Sequence, residues 1–505
     1  MDIASKELVI AGWILVIIYA AVILYFVIRG ALKTKNISDY AIGNVAFSPI
    51  AVGLALAASM TSAATFIINP GFIAFYGISG VISYAIVMPI ASVVSLVILT
   101  KGFRKHGNSV KALTMAQWMG TRYKSKGYSL FFAFLSLLLI TFIVLICVGL
   151  TKVLSKTLNV SELSVLIGLV VFIFGYMMFG GANSMVYTNT VQAIIMIVVA
   201  FILLGSGYQH FSNGIHGFLD KLASIDPKLI QPTNESSYLF RDYFEIIFTQ
   251  IVIGVAIVCQ PHIITKSLLL KTDKDVNKYL TAGIITQILF FLVVITGLYA
   301  RIDFPDLMVN GVSLKLDGVI SAYVVREFPV YVGLVVVMGL ISAGISTLEG
   351  LIQSVSTSVT ADIIKPLFGK FFPKDEKKNN FATILTNRTV IVAIGIISIL
   401  LSYDQLINPK LSVGIFAQNG VYAYFSAAFV PILFGMFLKG TSKAAVITAS
   451  LVAIVVHFSY FYGNLGVPFT IATGQNPGVA AAMAITASII SGGIVYFFTR
   501  EKANV

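Results

Sequence analysis

Residues 48–77 read SPIAVGLALAASMTSAATFIINPGFIAFYG, a stretch that is long and apolar enough to cross a membrane. Its middle is unusual for a spanning helix, because four hydroxyl side chains crowd positions 59–65 and Asn-Pro-Gly follows at 69–71. Proline removes a backbone donor, and backbone groups freed inside a membrane need protein, ions or water as partners. A spanning helix with a break near its middle is typical of a transporter site. The alternative is a proline-kinked helix whose hydroxyls bond to its own carbonyls.

The composition is that of a polytopic membrane protein. Of the 505 residues, 58% are hydrophobic and 11% are charged, whereas about 25% are charged in soluble domains. A single soluble catalytic domain is therefore excluded. The net charge of +13 would suggest nucleic acid in a soluble protein, but cytoplasmic loop charge explains it better here. The two cysteines, Cys147 and Cys259, lie in apolar runs and give no disulfide or metal pattern.

Hydropathy predicts thirteen membrane spans. They lie near 8–28, 48–76, 78–100, 127–151, 162–180, 187–208, 243–265, 279–300, 329–363, 389–405, 411–438, 444–462 and 477–499. Most of the 34 Lys and Arg residues fall in segments that are inside if the N-terminus is outside. The positive-inside rule therefore predicts an N-terminus outside the cell and a C-terminus in the cytoplasm. The two longest outer segments, 209–242 and 301–328, are predicted to form short amphipathic helices.

A second informative stretch, LISAGISTLEGLIQSVSTSVTADII at 340–364, carries hydroxyl side chains inside a long span. Ser346 and Thr347 are adjacent, so their hydroxyls diverge by about 100° on a helix and can bracket one ion. A hard cation such as Na⁺ favours oxygen ligands, and carbonyls from the broken helix at 58–61 could complete the shell. The alternative is that these small polar residues only pack between helices.

Glu349 lies one turn from Ser346 and has no basic neighbour in its own span. An ionisable residue at membrane depth is costly, and it is a functional hypothesis by default. Glu349 therefore favours the interpretation of this span as part of an ion site over the interpretation that its hydroxyls only pack between helices.

A third stretch, IVIGVAIVCQPHIITKSLLL at 251–270, is interrupted by Gln260, Pro261 and His262. Pro261 is predicted to break the helix, and the two polar side chains are predicted to face a cavity. An isolated histidine in a membrane is more often a packing or gating group than a proton carrier.

Five stretches, in this order and spacing, resemble the sodium:solute symporter family over roughly residues 35–460. They are ISDYAIGN (37–44), SAATFIINPGFIAFYG (62–77), FGGANSMVYTNTVQAIIM (179–196), GISTLEGLIQSVSTSVTADII (344–364) and AYFSAAFVPILFGMFLKGTSKAAV (423–446). The resemblance implies an all-α membrane protein of about thirteen helices with a leucine-transporter-type 5+5 inverted-repeat core and broken helices. It implies an extra N-terminal span and inner loop at 1–46, core repeats at 47–208 and 209–438, and extra C-terminal spans at 439–505.

The resemblance also implies positions for the sites. The Na⁺ ligands would come from the first broken helix and from the span around 346, namely Ala58, Thr61, Ala343, Ser346 and Thr347. The solute would contact residues of three spans, namely Ser62, Ala63, Thr65, Gln260, His262, Gln418, Tyr422 and Tyr424.

One departure from the family pattern concerns Asn189, which stands in YTNTVQA (187–193) where the family usually has an acidic residue. The loss puts a second sodium site of the usual kind in doubt. Glu349, in the facing helix, is hypothesised to supply the missing charge. Asn189, Glu349 and Ser342 are therefore a candidate second ion or proton site.

The resemblance implies a secondary active transporter of the plasma membrane, and no enzyme. It would couple Na⁺ to the uptake of a small organic solute by alternating access. A carboxylate or an amino acid, such as proline, pantothenate or a monocarboxylate, is favoured over a sugar. An H⁺-coupled carrier that uses Glu349 or His262 is the first alternative, and a non-pumping channel or sensor is the second. The expected partners are the solute and the lipid bilayer, with no nucleic acid.

Overall fold

The computed structural model describes residues 6–500 apart from 44–46, 111, 271, 273, 310 and 409–411. The described chain is almost entirely helical, with thirteen apolar segments that each coincide with one predicted span. In chain order these spans are Val9–Ala31, Pro49–Met60 with Ala64–Tyr76, Ile78–Arg104, Lys126–Leu158, Glu162–Met177, Ala182–Phe211, Phe244–Cys259 with Pro261–Leu269, Asp275–Asp303, Val330–Phe371, Glu376–Ile407, Val413–Phe437, Lys443–Gly463 and Pro477–Thr499. Ten are continuous and long enough to cross a membrane, two are bent pairs, and Glu162–Met177 is shorter.

Short elements connect the spans. The helices are Ile37–Ile42, Met115–Arg122, Gly214–Ile225 and Val319–Glu327, and the strands Met308–Val309 and Val312–Ser313 pair antiparallel. The helices predicted in the two outer segments are thus present. Several spans contain π turns, at Ala64–Ile68, Ile82–Val87, Phe244–Thr249 and Val359–Ile364. Such turns often mark functional sites within helices.

The second span breaks at Thr61–Ala63, and its two halves meet at 54°. Thr61 leaves the helical region with φ −109° and ψ 94°. The Ser62 hydroxyl accepts a hydrogen bond from the Ala64 N–H at 3.0 Å, and this bond starts the second half, Ala64–Tyr76. The halves of the broken spans are called inner and outer after their predicted orientation. The break therefore precedes Pro70, which lies inside the outer half. The hydroxyl-rich run at 59–65 therefore causes the break. From the sequence alone, Pro70 was expected to contribute to it.

The seventh span breaks where Pro261 predicts it. Its halves, Phe244–Cys259 and Pro261–Leu269, meet at 61°. Gln260 is extended, with φ −66° and ψ 135°, and Pro261 begins the second half. A residue before proline favours this extended conformation, and proline is tolerated at the first helical position.

The inner half of the second span, Pro49–Met60, packs against Ala182–Ser206, Asp275–Leu292 and Val330–Ser358. Glycines allow neighbouring helices to approach both halves of this span closely. A Cβ at Gly297 would lie 2.1 Å from the Pro70 carbonyl oxygen, so the outer half also sits directly on neighbouring backbone. Small residues at helix contacts favour this kind of packing in membranes.

We expect Gly297→Ala to lower the midpoint of thermal unfolding in detergent, because its methyl group would clash with the Pro70 carbonyl oxygen. Overpacking of this kind costs about 1–3 kcal/mol. Gly168→Ala is the matched control, since no atom lies within 4 Å of a Cβ placed there. Equal midpoints for the two variants, measured by size-exclusion after heating, would contradict the close contact.

Candidate functional site

Two hydroxyls of the ninth span meet the backbone of the second span just before its break. Ser346 Oγ donates to the Ala58 carbonyl oxygen at 2.9 Å. Thr347 Oγ1 lies 3.4 Å from the same carbonyl and 3.2 Å from that of Ser59. Both hydroxyls also reach the Ala343 carbonyl oxygen, at 3.2 Å and 3.4 Å. All five residues are buried.

This cluster offers oxygen atoms and no net charge. Hard cations take oxygen ligands at about 2.3–2.6 Å, so adjacent ligands at right angles lie about 3.4 Å apart. The distances between Ser346 or Thr347 and the carbonyls are close to this value, so a small opening would admit a cation the size of Na⁺. Thr61, the fifth predicted ligand, lies at the break itself. Its hydroxyl is buried and has no hydrogen-bond partner among the described residues.

Glu349 is fully buried one turn from this cluster, and hydrogen-bond donors surround its carboxylate. The Tyr176 hydroxyl donates to Oε1 at 2.5 Å, and the Thr188 hydroxyl donates to Oε2 at 2.7 Å. These donors come from the fifth and sixth spans. The carboxylate is therefore held by two neighbouring helices as well as by its own.

Asn189 connects Glu349 to a lysine. Its amide is oriented with the nitrogen toward Glu349, because the opposite orientation would set the amide oxygen against the carboxylate. The nitrogen then donates to Glu349 Oε2 at 2.8 Å and to Gln192 Oε1 at 3.0 Å. The oxygen accepts from Lys266 Nζ and from Ser59 Oγ, both at 3.2 Å. Asn189 and Glu349 thus lie together, as the hypothesis of a relocated charge requires.

Ser342, the third residue of the candidate second ion site, lies elsewhere. Its hydroxyl contacts the hydroxyl of Tyr19 on the first span at 3.4 Å. Ser342 precedes Glu349 by two helical turns, so the two side chains lie on the same helix face, about 10 Å apart along the axis. Tyr19 and Gln192 connect the Ser342 hydroxyl to the Asn189 amide.

A cavity of about 80 Å³ lies beside the break of the second span. Five of the eight predicted solute contacts line it, namely Ser62, Thr65, Gln260, Gln418 and Tyr422. Among the described residues that line it, no side chain is charged. The structure therefore brings the broken helices and the eleventh span together around one uncharged space, whose mainly apolar wall carries several polar side chains.

Three predicted solute contacts lie outside this cavity. Ala63 is fully buried next to Gly149 on the fourth span. His262 lines a separate inner cavity of about 30 Å³, together with Lys266. Tyr424 packs edge-on against Phe132, with ring centroids 6.3 Å apart. It follows Tyr422 by two residues on one helix, which turns it about 200° away from the cavity.

Four polar residues of the cavity wall were not predicted as solute contacts from the sequence, namely Asn69, Tyr84, Ser92 and Gln287. Gln287 is buried, and neither polar atom of its side chain has a hydrogen-bond partner among the described residues. Oε1 of Gln260 also has no hydrogen-bond partner among the described residues. A buried amide without a partner is costly, so a ligand is the natural partner for both. The isolated glutamine in the apolar run GIITQILFF (283–291) was an available signal.

Residues 40–452 match the sequence profile of the sodium:solute symporter family. The chain is 27% identical over 419 residues to a sodium/pantothenate symporter of Haemophilus influenzae, with 81% of this chain and 82% of the relative covered. It is 22% identical over 471 residues to a sodium/proline symporter of Staphylococcus aureus, with 90% and 88% covered.

Among solved structures, the chain is similar to a Na⁺-coupled sialic acid symporter in a substrate-bound, outward-open state. The TM-score is 0.77 at 15% identity, and the match covers 96% of this chain and 98% of that chain. The predicted leucine-transporter-type fold is thereby confirmed, while the boundaries of the two repeats stay predictions.

We expect Tyr176→Phe to destabilise the protein by about 1–3 kcal/mol, because a buried carboxylate loses a hydrogen-bond donor. The measurement is the midpoint of thermal unfolding in detergent. Tyr187→Phe serves as the control, since Tyr187 makes ring contacts with Phe26 and Phe47 that survive loss of the hydroxyl. A midpoint for Tyr176→Phe equal to that of the control would show that the hydroxyl does not support Glu349.

Proposed function

Because the chain belongs to the sodium:solute symporter family and is a membrane transporter, we propose that it couples inward movement of Na⁺ to uptake of a small organic solute. The observation that carries the proposal is the cluster of Ser346, Thr347 and the carbonyls of Ala58 and Ala343. These atoms are uncharged oxygen atoms that can act as metal ligands, and they come from two helices, one of which is broken. Such a set suits a monovalent hard cation.

The proposed mechanism follows from where the cluster lies. Na⁺ between the inner half of the second span and the ninth span holds the broken helix in one arrangement. The adjacent cavity then binds the solute more tightly, and by reciprocity the solute strengthens Na⁺ binding. Rocking of the bundle that carries the broken helices opens the site inward. Each Na⁺ draws on about 2.3 kcal/mol per 100 mV of membrane potential, in addition to its own gradient.

The cavity supports a small solute with several hydrogen-bonding groups. Its volume of about 80 Å³ is below the roughly 300–1,000 Å³ of sites for drug-sized ligands. The unpartnered amide of Gln287 offers a donor and an acceptor, and the unpartnered Oε1 of Gln260 offers a second acceptor. A solute carboxylate would be met by backbone dipoles at the start of a half-helix, since the lining has no cationic side chain. We therefore propose an amino acid or a small carboxylate, such as proline, pantothenate or a monocarboxylate.

The chemistry of the cluster also distinguishes Na⁺ from H⁺ as the coupling ion. Hydroxyl and carbonyl oxygens bind metal cations but do not hold a proton at physiological pH. H⁺ coupling would therefore have to use Glu349 or His262. His262 lies on the inner cavity, outside the wall of the proposed solute cavity. This geometry favours Na⁺.

We expect uptake of one of radiolabelled proline, pantothenate or lactate into proteoliposomes to require an inward Na⁺ gradient. Ser346→Ala and Thr347→Val should each raise the Na⁺ concentration for half-maximal uptake at least tenfold, because a ligand oxygen is lost. Ser356→Ala is the control, since its hydroxyl bonds to the carbonyl of Gln353 in its own helix. Uptake driven equally well by a pH gradient without Na⁺ would contradict sodium coupling.

The proposed orientation places the segment around Lys374 in the cytoplasm and the segment around Glu235 outside. Both residues are exposed, and both native cysteines are buried, so introduced cysteines can be labelled selectively. We expect a membrane-impermeant maleimide to label Glu235→Cys in intact cells and Lys374→Cys only after permeabilisation. The reverse pattern would invert the orientation.

A further inference from the structure

The carboxylate of Glu349 accepts hydrogen bonds from three side chains. Tyr176 donates to Oε1, and both Thr188 and Asn189 donate to Oε2, at donor–acceptor distances of 2.5–2.8 Å. Each of these neighbours presents a hydrogen atom to the carboxylate. A metal cation directly against the carboxylate would have to displace at least one of these hydrogen bonds. The surroundings of Glu349 are therefore arranged to stabilise a carboxylate, without an added metal ion beside it.

A buried carboxylate still needs a compensating positive charge, because hydrogen bonds alone do not restore the free energy lost on leaving water. Lys266 supplies this charge. Its side chain is buried on the inner half of the seventh span, and its Nζ lies 3.2 Å from the Asn189 amide oxygen. The amide therefore bridges the two charges, with its nitrogen on the carboxylate and its oxygen on the ammonium.

The two charged groups belong to parts of the protein that the proposed mechanism moves relative to each other. Glu349 and Asn189 lie on the continuous ninth and sixth spans, whereas Lys266 lies on a broken helix. Ser59 joins the network too, since its hydroxyl reaches the Asn189 amide oxygen and its carbonyl accepts from Thr347. The Lys266 ammonium is thus connected to the proposed Na⁺ cluster through the Asn189 amide and Ser59.

We propose that the Lys266 ammonium is a tethered cation that balances Glu349 through Asn189, so that the transporter binds a single Na⁺ per solute. An ammonium carries the same charge as Na⁺ but stays attached to the protein through the whole cycle. Only the ion at Ser346 and Thr347 then crosses the membrane. This inference rests on the proposed sodium coupling and assigns its stoichiometry.

Removing either charge has a defined consequence. Without the ammonium, Glu349 is an uncompensated buried carboxylate, and the Asn189 amide oxygen that accepted from Lys266 is left for a cation. A second Na⁺ should therefore enter through the inner cavity that Lys266 lines. Without the carboxylate, the ammonium is unbalanced and should repel Na⁺ from the nearby cluster. Removing both charges together should restore the behaviour of the unmodified protein.

The experiment counts radiolabelled Na⁺ bound to purified protein in a scintillation proximity assay, which needs no solute. The unmodified protein should bind one Na⁺ with a Hill coefficient of one. Lys266→Met should bind two, and Lys266→Met combined with Glu349→Gln should again bind one. Glu349→Gln alone should weaken Na⁺ binding at least tenfold. Two Na⁺ on the unmodified protein, or one on Lys266→Met with unchanged affinity, would overturn the tethered cation.

Controls separate this inference from the proposed function and from misfolding. Lys266→Arg keeps the charge and should bind one Na⁺. Lys156→Met removes a half-buried lysine from the fourth span, away from the network, and should also bind one. If Lys266→Met does not elute as a monodisperse peak, Lys266→Gln replaces it. No specific Na⁺ binding to the unmodified protein would overturn the proposed sodium coupling itself.

Discussion

The contact between the hydroxyls of Ser346 and Thr347 and the carbonyls of Ala58 and Ser59 is the interaction on which the rest of the site depends. A continuous α-helix consumes its carbonyls internally. The break at Thr61 exposes them within the membrane, where each needs a partner. The ninth span supplies hydroxyl partners that can be exchanged for an ion. The broken helix thus presents the oxygen atoms on which the proposed ion site depends.

Glycine contacts and polar contacts act together around this point. Close backbone packing at Gly297 fixes the outer half of the second span. The network of Tyr176, Glu349, Asn189 and Lys266 connects the inner half of the seventh span to the continuous helices. Steric fit therefore holds the outer half of the second span, and hydrogen bonds around two ionisable groups hold the inner half of the seventh span.

Hydropathy was sufficient to predict the thirteen spans, because length and apolar composition alone determine whether a helix can cross a membrane. The break at Pro261 was predictable from proline. The break at Thr61 was less so, since it depends on the Ser62 hydroxyl bonding to the Ala64 N–H. Tyr424 and His262 were predicted as solute contacts, but both lie outside the cavity. The direction of a side chain depends on helix rotation, which composition does not determine. The contact of Lys266 with Asn189 was not predictable, because the two residues come from distant parts of the chain.

The central claim is that Na⁺ bridges the inner half of the second span and the ninth span. Hydrogen–deuterium exchange of the purified protein, in NaCl against KCl at equal ionic strength, tests this directly. The account predicts slower exchange in Na⁺ for peptides that cover 58–66 and 340–349, with no change in peptides from the last span, Pro477–Thr499. Identical exchange of the first two peptides in both salts would contradict it.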